Sequence, residues 1–203
     1  MARIAVDLDG TLLDTRRRHH AVYVEALAAL GGEALPLAPF WRAKRRGVAW
    51  PRLLGADIDT AKFLEIFAGR IEAPDMLALD QVHPGVGDAL GRLTRAGHRA
   101  VLVTARRDAE ALRGQLHALA LDDHFEDVVA TGGRPKHLAL EGAAPVDRWI
   151  GDTEEDIVAA RALSVPVTAV VNGIRCPSLL NRAEPDDLAT SFPAAVRRLL
   201  ARR

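Results

Sequence analysis

Five short apolar runs constrain this chain most: RIAV (3–6), RAVLV (99–103), EDVVA (126–130), DRWI (147–150) and PVTAVV (166–171). Each has the length of a strand and is bounded by Gly, Asp or Pro. Near-continuous apolar character predicts strands covered on both faces, as in a parallel sheet. Helix-like patterns at 85–96, 107–119, 136–141 and 154–163 stand between them. That alternation predicts an α/β, Rossmann-like three-layer core with a parallel sheet, whose sites lie beyond the carboxyl ends of its strands.

One stretch breaks the alternation. From about Thr15 to Asp80 the patterns are helical and no good strand occurs. RRRHHAVYVEALAAL stops at Gly31-Gly32, APFWRAKRRG at Gly47, and DTAKFLEIFAGRIE runs from an Asp/Thr start to Pro74. The expectation is a core made of residues 1–14 and 82–203, with a small all-helical insert over 15–81. Trp41 and Trp50 are expected in the core of that insert.

The first strand runs into VDLDGTLLDT, which sets Asp7 and Asp9 two residues apart before Gly10. If the pleat continued, both carboxylates would share a face, and each would raise the other's proton affinity. A cation, a shared proton or ample water has to relieve them. The formal net charge is zero, from 27 basic and 27 acidic residues, so nothing global draws the chain to nucleic acid or to a membrane surface. No apolar stretch approaches a membrane span of about 18 residues. MARIAVDLDG reaches an aspartate too soon for a signal peptide, and the single cysteine, Cys176, suits a reducing compartment, so a cytoplasmic location is expected.

Four pieces then stand at separate strand ends: DLDGT (7–11), VTAR (103–106), RPK (134–136) and GDTEED (151–156). In this order, with a helical insert after the first, they resemble the haloacid dehalogenase superfamily, in particular its small phosphatases related to phosphoglycolate phosphatase. The resemblance spans essentially the whole chain. It implies that Asp7 is a nucleophile forming an aspartyl-phosphate. Asp9 would protonate the leaving alcohol and then activate water. Asp7, the backbone carbonyl of Asp9, and Asp152 offer hard oxygens suited to Mg²⁺, with Asp156 holding a metal-bound water or orienting Lys136. Thr104 would donate to a phosphoryl oxygen, although it can also cap the helix that follows. Lys136 would supply positive charge, with Arg134 as its rival two residues away.

Leu8, Ala105 and Arg106, beside these motif residues, are candidate substrate contacts. The insert resembles a substrate-selecting cap, and Arg45 and Arg46, before Gly47, are expected to meet the leaving group. The expected substrate is a small phosphorylated metabolite, and no oligomeric state is implied. Asp9 argues against dehalogenation, which needs no acid at that position. Lys44 and Lys62, the insert's lysines, stand in no context suggesting a Schiff base. A phosphomutase, and a non-catalytic module binding metal or phosphate, are the alternatives to a hydrolase. Retention of Asp7, Asp9, Thr104, Lys136 and Asp152 speaks against the second, since binding alone would not require both first-motif aspartates.

Overall fold

A computed structural model describes residues 1–201. The chain divides into two compact units, one of Met1–Asp14 with Val82–Arg203, the other of Thr15–Gln81.

In the larger unit six strands form one sheet in the order β5-β4-β1-β6-β7-β8. These are β1 (Arg3–Val6), β4 (Arg99–Thr104), β5 (Phe125–Ala130), β6 (Arg148–Gly151), β7 (Val167–Val170) and β8 (Asp187–Ala189). Every neighbouring pair is parallel. Two two-residue strands, β2 (Leu13–Asp14) and β3 (Gln81–Val82), pair with each other where the chain leaves and re-enters this unit.

The apolar runs are continuous because both sheet faces are covered. Ile4, Val6, Leu102 and Ile150 join one core cluster, while their neighbours Ala5, Val101, Val103 and Trp149 join the other. Successive side chains point to opposite faces of a strand, so no position in the middle of the sheet is left for a polar residue. Complete burial of a side chain such as Ile4 contributes roughly 1.5–3 kcal/mol.

Helices α6 (Val86–Arg95), α7 (Ala109–Ala118) and α10 (Phe192–Ala201) contribute to the first cluster, α8 (Glu154–Ala162) and α9 (Pro177–Arg182) to the second. In α6 the spacing of Val86, Ala89, Leu90 and Leu93 puts one stripe inward. Asp108 caps α7 by accepting from the backbone N–H of Glu110 and Ala111. The Rossmann-like α/β core expected from the alternation is the fold observed.

Three local expectations change. The stretch 136–141 is not a helix; only Leu138–Leu140 make a 3-10 turn, after Gly132, Gly133 and Pro135 have broken the backbone pattern. β5 is half-exposed rather than covered on both faces, because it is an edge strand. The opposite edge strand, β8, begins with Asp187 and is three residues long, so it carries almost no apolar signal.

The smaller unit is all helical: α1 (Arg16–Ala29), α2 (Leu37–Arg45), α3 (Trp50–Leu54), α4 (Thr60–Arg70) and α5 (Pro74–Leu77). Its core is aromatic. Tyr23 stacks on Phe40 at 4.4 Å between ring centroids, and Trp50 packs against Phe63 at 5.0 Å. Asp59 caps α4 by accepting from the backbone N–H of Ala61 and Lys62. A buried ion pair, Arg18 to Asp80 at 3.0 Å, ties the first helix to the end of the unit. Among the described residues, no helix is long and apolar enough to cross a membrane.

Candidate active site

β1 lies centrally, between β4 and β6, so the residues just past its end are flanked by the ends of both neighbours. The strand stops at Val6. Asp7 then donates its backbone N–H to the carbonyl of Ile150 at 3.0 Å, and the chain turns so that Leu12 and Leu13 donate to the carbonyl of Leu8. Gly10 makes the turn possible. Its φ is +96°, and a Cβ there would sit 2.2 Å from Asp152 Oδ2.

Asp7 and Asp9 are relieved by two different cations. Lys136 Nζ donates to Asp7 Oδ1 at 2.5 Å. Arg106 takes Asp9 bidentately, Nε to Oδ2 at 2.6 Å and Nη2 to Oδ1 at 2.8 Å. The pleat does not continue through Asp9, so the two side chains are not the stacked pair that simple alternation predicts.

Asp152, one residue past β6, is wholly buried. Its Oδ1 accepts from the Thr11 hydroxyl at 3.1 Å and its Oδ2 from the backbone N–H of Ile174 at 2.5 Å. Gly173 also crowds it, since a Cβ there would lie 2.2 Å from Oδ2. Asp156, on the first turn of α8, is filled from both sides. Its Oδ1 accepts from Lys136 Nζ at 2.7 Å and from Trp149 Nε1 at 3.1 Å. Its Oδ2 accepts from the backbone N–H groups of Asp152 and Thr153 and from the Thr153 hydroxyl.

Oxygens of Asp7, Asp152 and Asp156 lie within 4.8 Å of one another, a spacing that one cation can bridge. A carboxylate has about four lone-pair sites. Asp156 spends its own on five donors, so its geometry is that of a brace for Lys136. Asp7 and Asp152 have fewer claims on them. Three buried carboxylates face one ammonium, leaving an excess of negative charge that hard-cation chemistry would neutralise. The residues therefore fit a divalent metal.

The same excess governs protonation. Burial, opposed by Lys136 and reinforced by Asp156, raises the Asp7 carboxyl from 3.8 to about 7. Burial, then Asp7 and Asp156, push Asp152 well above the usual carboxylate range. For Lys136 burial acts downward, but Asp156 and Asp7 outweigh it and hold the ammonium above its ordinary value.

A carboxyl whose folded value is raised keeps its proton when folded after the unfolded chain has released it. Its contribution to stability is present at low pH and lost as pH rises from 3.8 to about 7. In metal-free protein, melting curves of the parent and Asp7→Asn should separate over that window, with the asparagine variant gaining as pH rises. A constant gap between the two curves would contradict the assignment of excess charge to Asp7.

Thr104 ends β4, buried, and its carbonyl accepts from the Thr131 N–H at 2.8 Å. It is not the cap of α7, which is Asp108. Ala105 is exposed and Arg106 buried. The Leu8 side chain lies in the core, so only its backbone can serve a ligand. Arg134 is exposed, its Nε donating to the Thr131 carbonyl at 3.4 Å, so Lys136 is the cation that reaches the acids. Arg45 and Arg46 belong to the helical unit, at the C-terminal end of α2.

Sequence reasoning did not assign roles to Thr11, Gln115, Trp149 or Thr153. Thr11 and Thr153 lie within DLDGT and GDTEED, and Gln115 is a polar residue close to Leu112 and Leu116 on an inward helix stripe. Trp149 lies in an apolar strand run, which gives no sign of the bond its indole N–H makes to Asp156.

Buried carboxylates, a lysine and a threonine thus gather at the carboxyl edge of the parallel sheet, where sheets of this kind place their sites. A family model for haloacid dehalogenase-like hydrolases matches residues 1–144. The chain is 30% identical to a plasmid-encoded phosphoglycolate phosphatase of Cupriavidus necator, covering 94% of this chain and 90% of that protein. It is 31% identical to a phosphoglycolate phosphatase of Cereibacter sphaeroides, covering 86% and 87%. A solved haloacid dehalogenase-like hydrolase from Streptococcus pneumoniae superposes with a TM-score of 0.79 at 20% identity, over 98% of both chains. The chain belongs to the haloacid dehalogenase-like hydrolases and is a phosphatase of that family.

Proposed function

We propose that the protein is a Mg²⁺-dependent, cytoplasmic phosphomonoester hydrolase that acts on a small phosphorylated metabolite through an aspartyl-phosphate. The observation that carries this reading is the cluster of three buried carboxylates against one lysine. On it the larger unit is the catalytic core and the helical unit its cap.

Asp7, Asp152 and the Asp9 carbonyl would hold the metal, which when bound neutralises the acids and polarises a phosphoryl oxygen. An Asp7 carboxylate oxygen forms a bond to phosphorus as the ester P–O bond breaks. The leaving oxygen takes a proton from the Asp9 carboxyl. In the second half, water attacks phosphorus, its proton passes to the Asp9 carboxylate, and the Asp7–phosphorus bond breaks to release inorganic phosphate. Lys136, fixed by Asp156, opposes the charge gathered on the phosphoryl oxygens, and Thr104 donates to one of them.

The test is turnover of a phosphate-ester panel headed by 2-phosphoglycolate, the substrate in the names of the relatives. Chelation with EDTA should abolish turnover and added Mg²⁺ restore it. Full activity after exhaustive chelation would overturn the metal role.

A further inference from the structure

The donors to Asp156 fall into two sets. Its Oδ2 accepts from the backbone N–H groups of Asp152 and Thr153 and from the Thr153 hydroxyl, all at the entry to α8. Those bonds anchor one corner of the carboxylate. The other corner, Oδ1, is shared by Lys136 Nζ at 2.7 Å and Trp149 Nε1 at 3.1 Å, both from outside α8. These two donors differ in stiffness. Lys136 reaches inward on a flexible four-carbon stem, from a loop in which residues 132–135 are exposed. Trp149 is wholly buried and has only two side-chain torsions. Its backbone lies in β6, in register with Ala5 of β1 and Val167 of β7. The stiff donor therefore sets where Oδ1 lies, and the flexible one aims from it.

We propose that Trp149 is a positioning residue: its indole N–H fixes Asp156 Oδ1, and Asp156 in turn aims the Lys136 ammonium at the reacting phosphoryl group. The inference rests on the phosphatase reading above. Lys136 also bonds Asp7 at 2.5 Å, but in that reading Asp7 gives up its carboxylate charge on bonding to phosphorus. Its hold on the lysine slackens in the step that needs the ammonium, and Asp156 is the acceptor that stays. A buried indole needs a partner for its N–H, and the strand delivers this one to the carboxylate oxygen that the lysine shares. An apolar ring in the same place would fill the core without fixing that oxygen.

The experiment separates the N–H from the ring. The analogue 3-benzothienylalanine, placed at position 149 alone, keeps the fused-ring shape with sulfur where the N–H was. Rates are read with Mg²⁺ present and well below the melting temperature, so that the protein is fully folded. Removing a partner that stands behind a functional group costs about 10–100-fold in metal sites. Because Oδ2 keeps its donors, the expected fall in kcat for p-nitrophenyl phosphate is the lower end, about tenfold. The Kd for Mg²⁺ should stay at the parent's value, since Asp7 and Asp152 are the acids assigned to the metal. Trp149→Phe should lose kcat to a similar extent and melt lower than the sulfur analogue, because the smaller ring leaves a cavity.

A parental kcat in the sulfur analogue would overturn the assignment, since packing alone would then account for Trp149. So would a fall in kcat that excess Mg²⁺ restores, with Mg²⁺ binding weakened to match, because Trp149 would then serve the metal rather than the lysine. If Trp149→Phe fails to fold, the sulfur analogue carries the comparison. A parent protein that hydrolyses no phosphate ester would instead overturn the phosphatase reading itself.

Discussion

Replacing Asp7 by asparagine is expected to remove turnover almost completely, by on the order of 10⁶-fold in kcat, the scale at which a nucleophile working within a concerted group is lost. The amide keeps the shape of the carboxylate but cannot form the bond to phosphorus. The loss should not come from unfolding. Asp7 is buried beside two further carboxylates, and its carboxyl is already pushed up to about 7. Neutralising it removes repulsion at neutral pH, so the metal-free variant should melt no lower than the parent. The measurement pairs phosphate release with a melting curve and with a search for labelled protein after quenching with ³²P-labelled substrate. Label on the parent and none on the variant is the expected pattern. Substantial turnover by Asp7→Asn would place the nucleophile elsewhere.

Lys136→Met should act on stability and activity together. The lysine neutralises Asp7 at 2.5 Å and Asp156 at 2.7 Å, all three side chains being almost wholly buried. Removing one partner of such a network leaves buried charge uncompensated, which costs about 3–5 kcal/mol. For a chain of this size that is a fall of roughly 6–20 °C in melting temperature. The deficit should shrink at low pH, where Asp7 and Asp152 bind protons, and in the presence of Mg²⁺. Phosphatase activity should fall even when Mg²⁺ restores folding, because the charge opposing the phosphoryl oxygens is gone. A variant with parental melting behaviour at neutral pH would show that the carboxylates are neutralised by something other than Lys136.

The parallel sheet was legible because its signal is local. A strand covered on both faces must be apolar at consecutive positions, and RIAV, RAVLV and PVTAVV satisfy that in the sequence alone. Once the strands are parallel, their carboxyl ends share one edge, and the strand order β4-β1-β6, which the folded chain sets, brings Thr104, Asp7 and Asp152 side by side. The half-exposed β5 and the short β8 were harder to read because edge strands escape the demand for apolar residues. The stretch 136–141 has a helix-like pattern but forms only a 3-10 turn at Leu138–Leu140, because Gly132 and Gly133 at positive φ, followed by Pro135, break the backbone just before it.

The pairing of charges was decided by the tertiary structure. Lys136 reaches Asp7 across 129 positions, and Arg106 reaches Asp9 across 97. Spacing alone predicts two aspartates on one face, relieved by a cation, a shared proton or water. The turn at Gly10 separates them instead, giving one to the lysine and the other to the arginine. That partition depends on loop path and on side-chain reach, with Gly10 and Gly173 letting backbone close against Asp152. Residue types and order place acids at a sheet edge, but only the folded chain sets the distances, and an ion pair's strength falls with distance and with exposure to water.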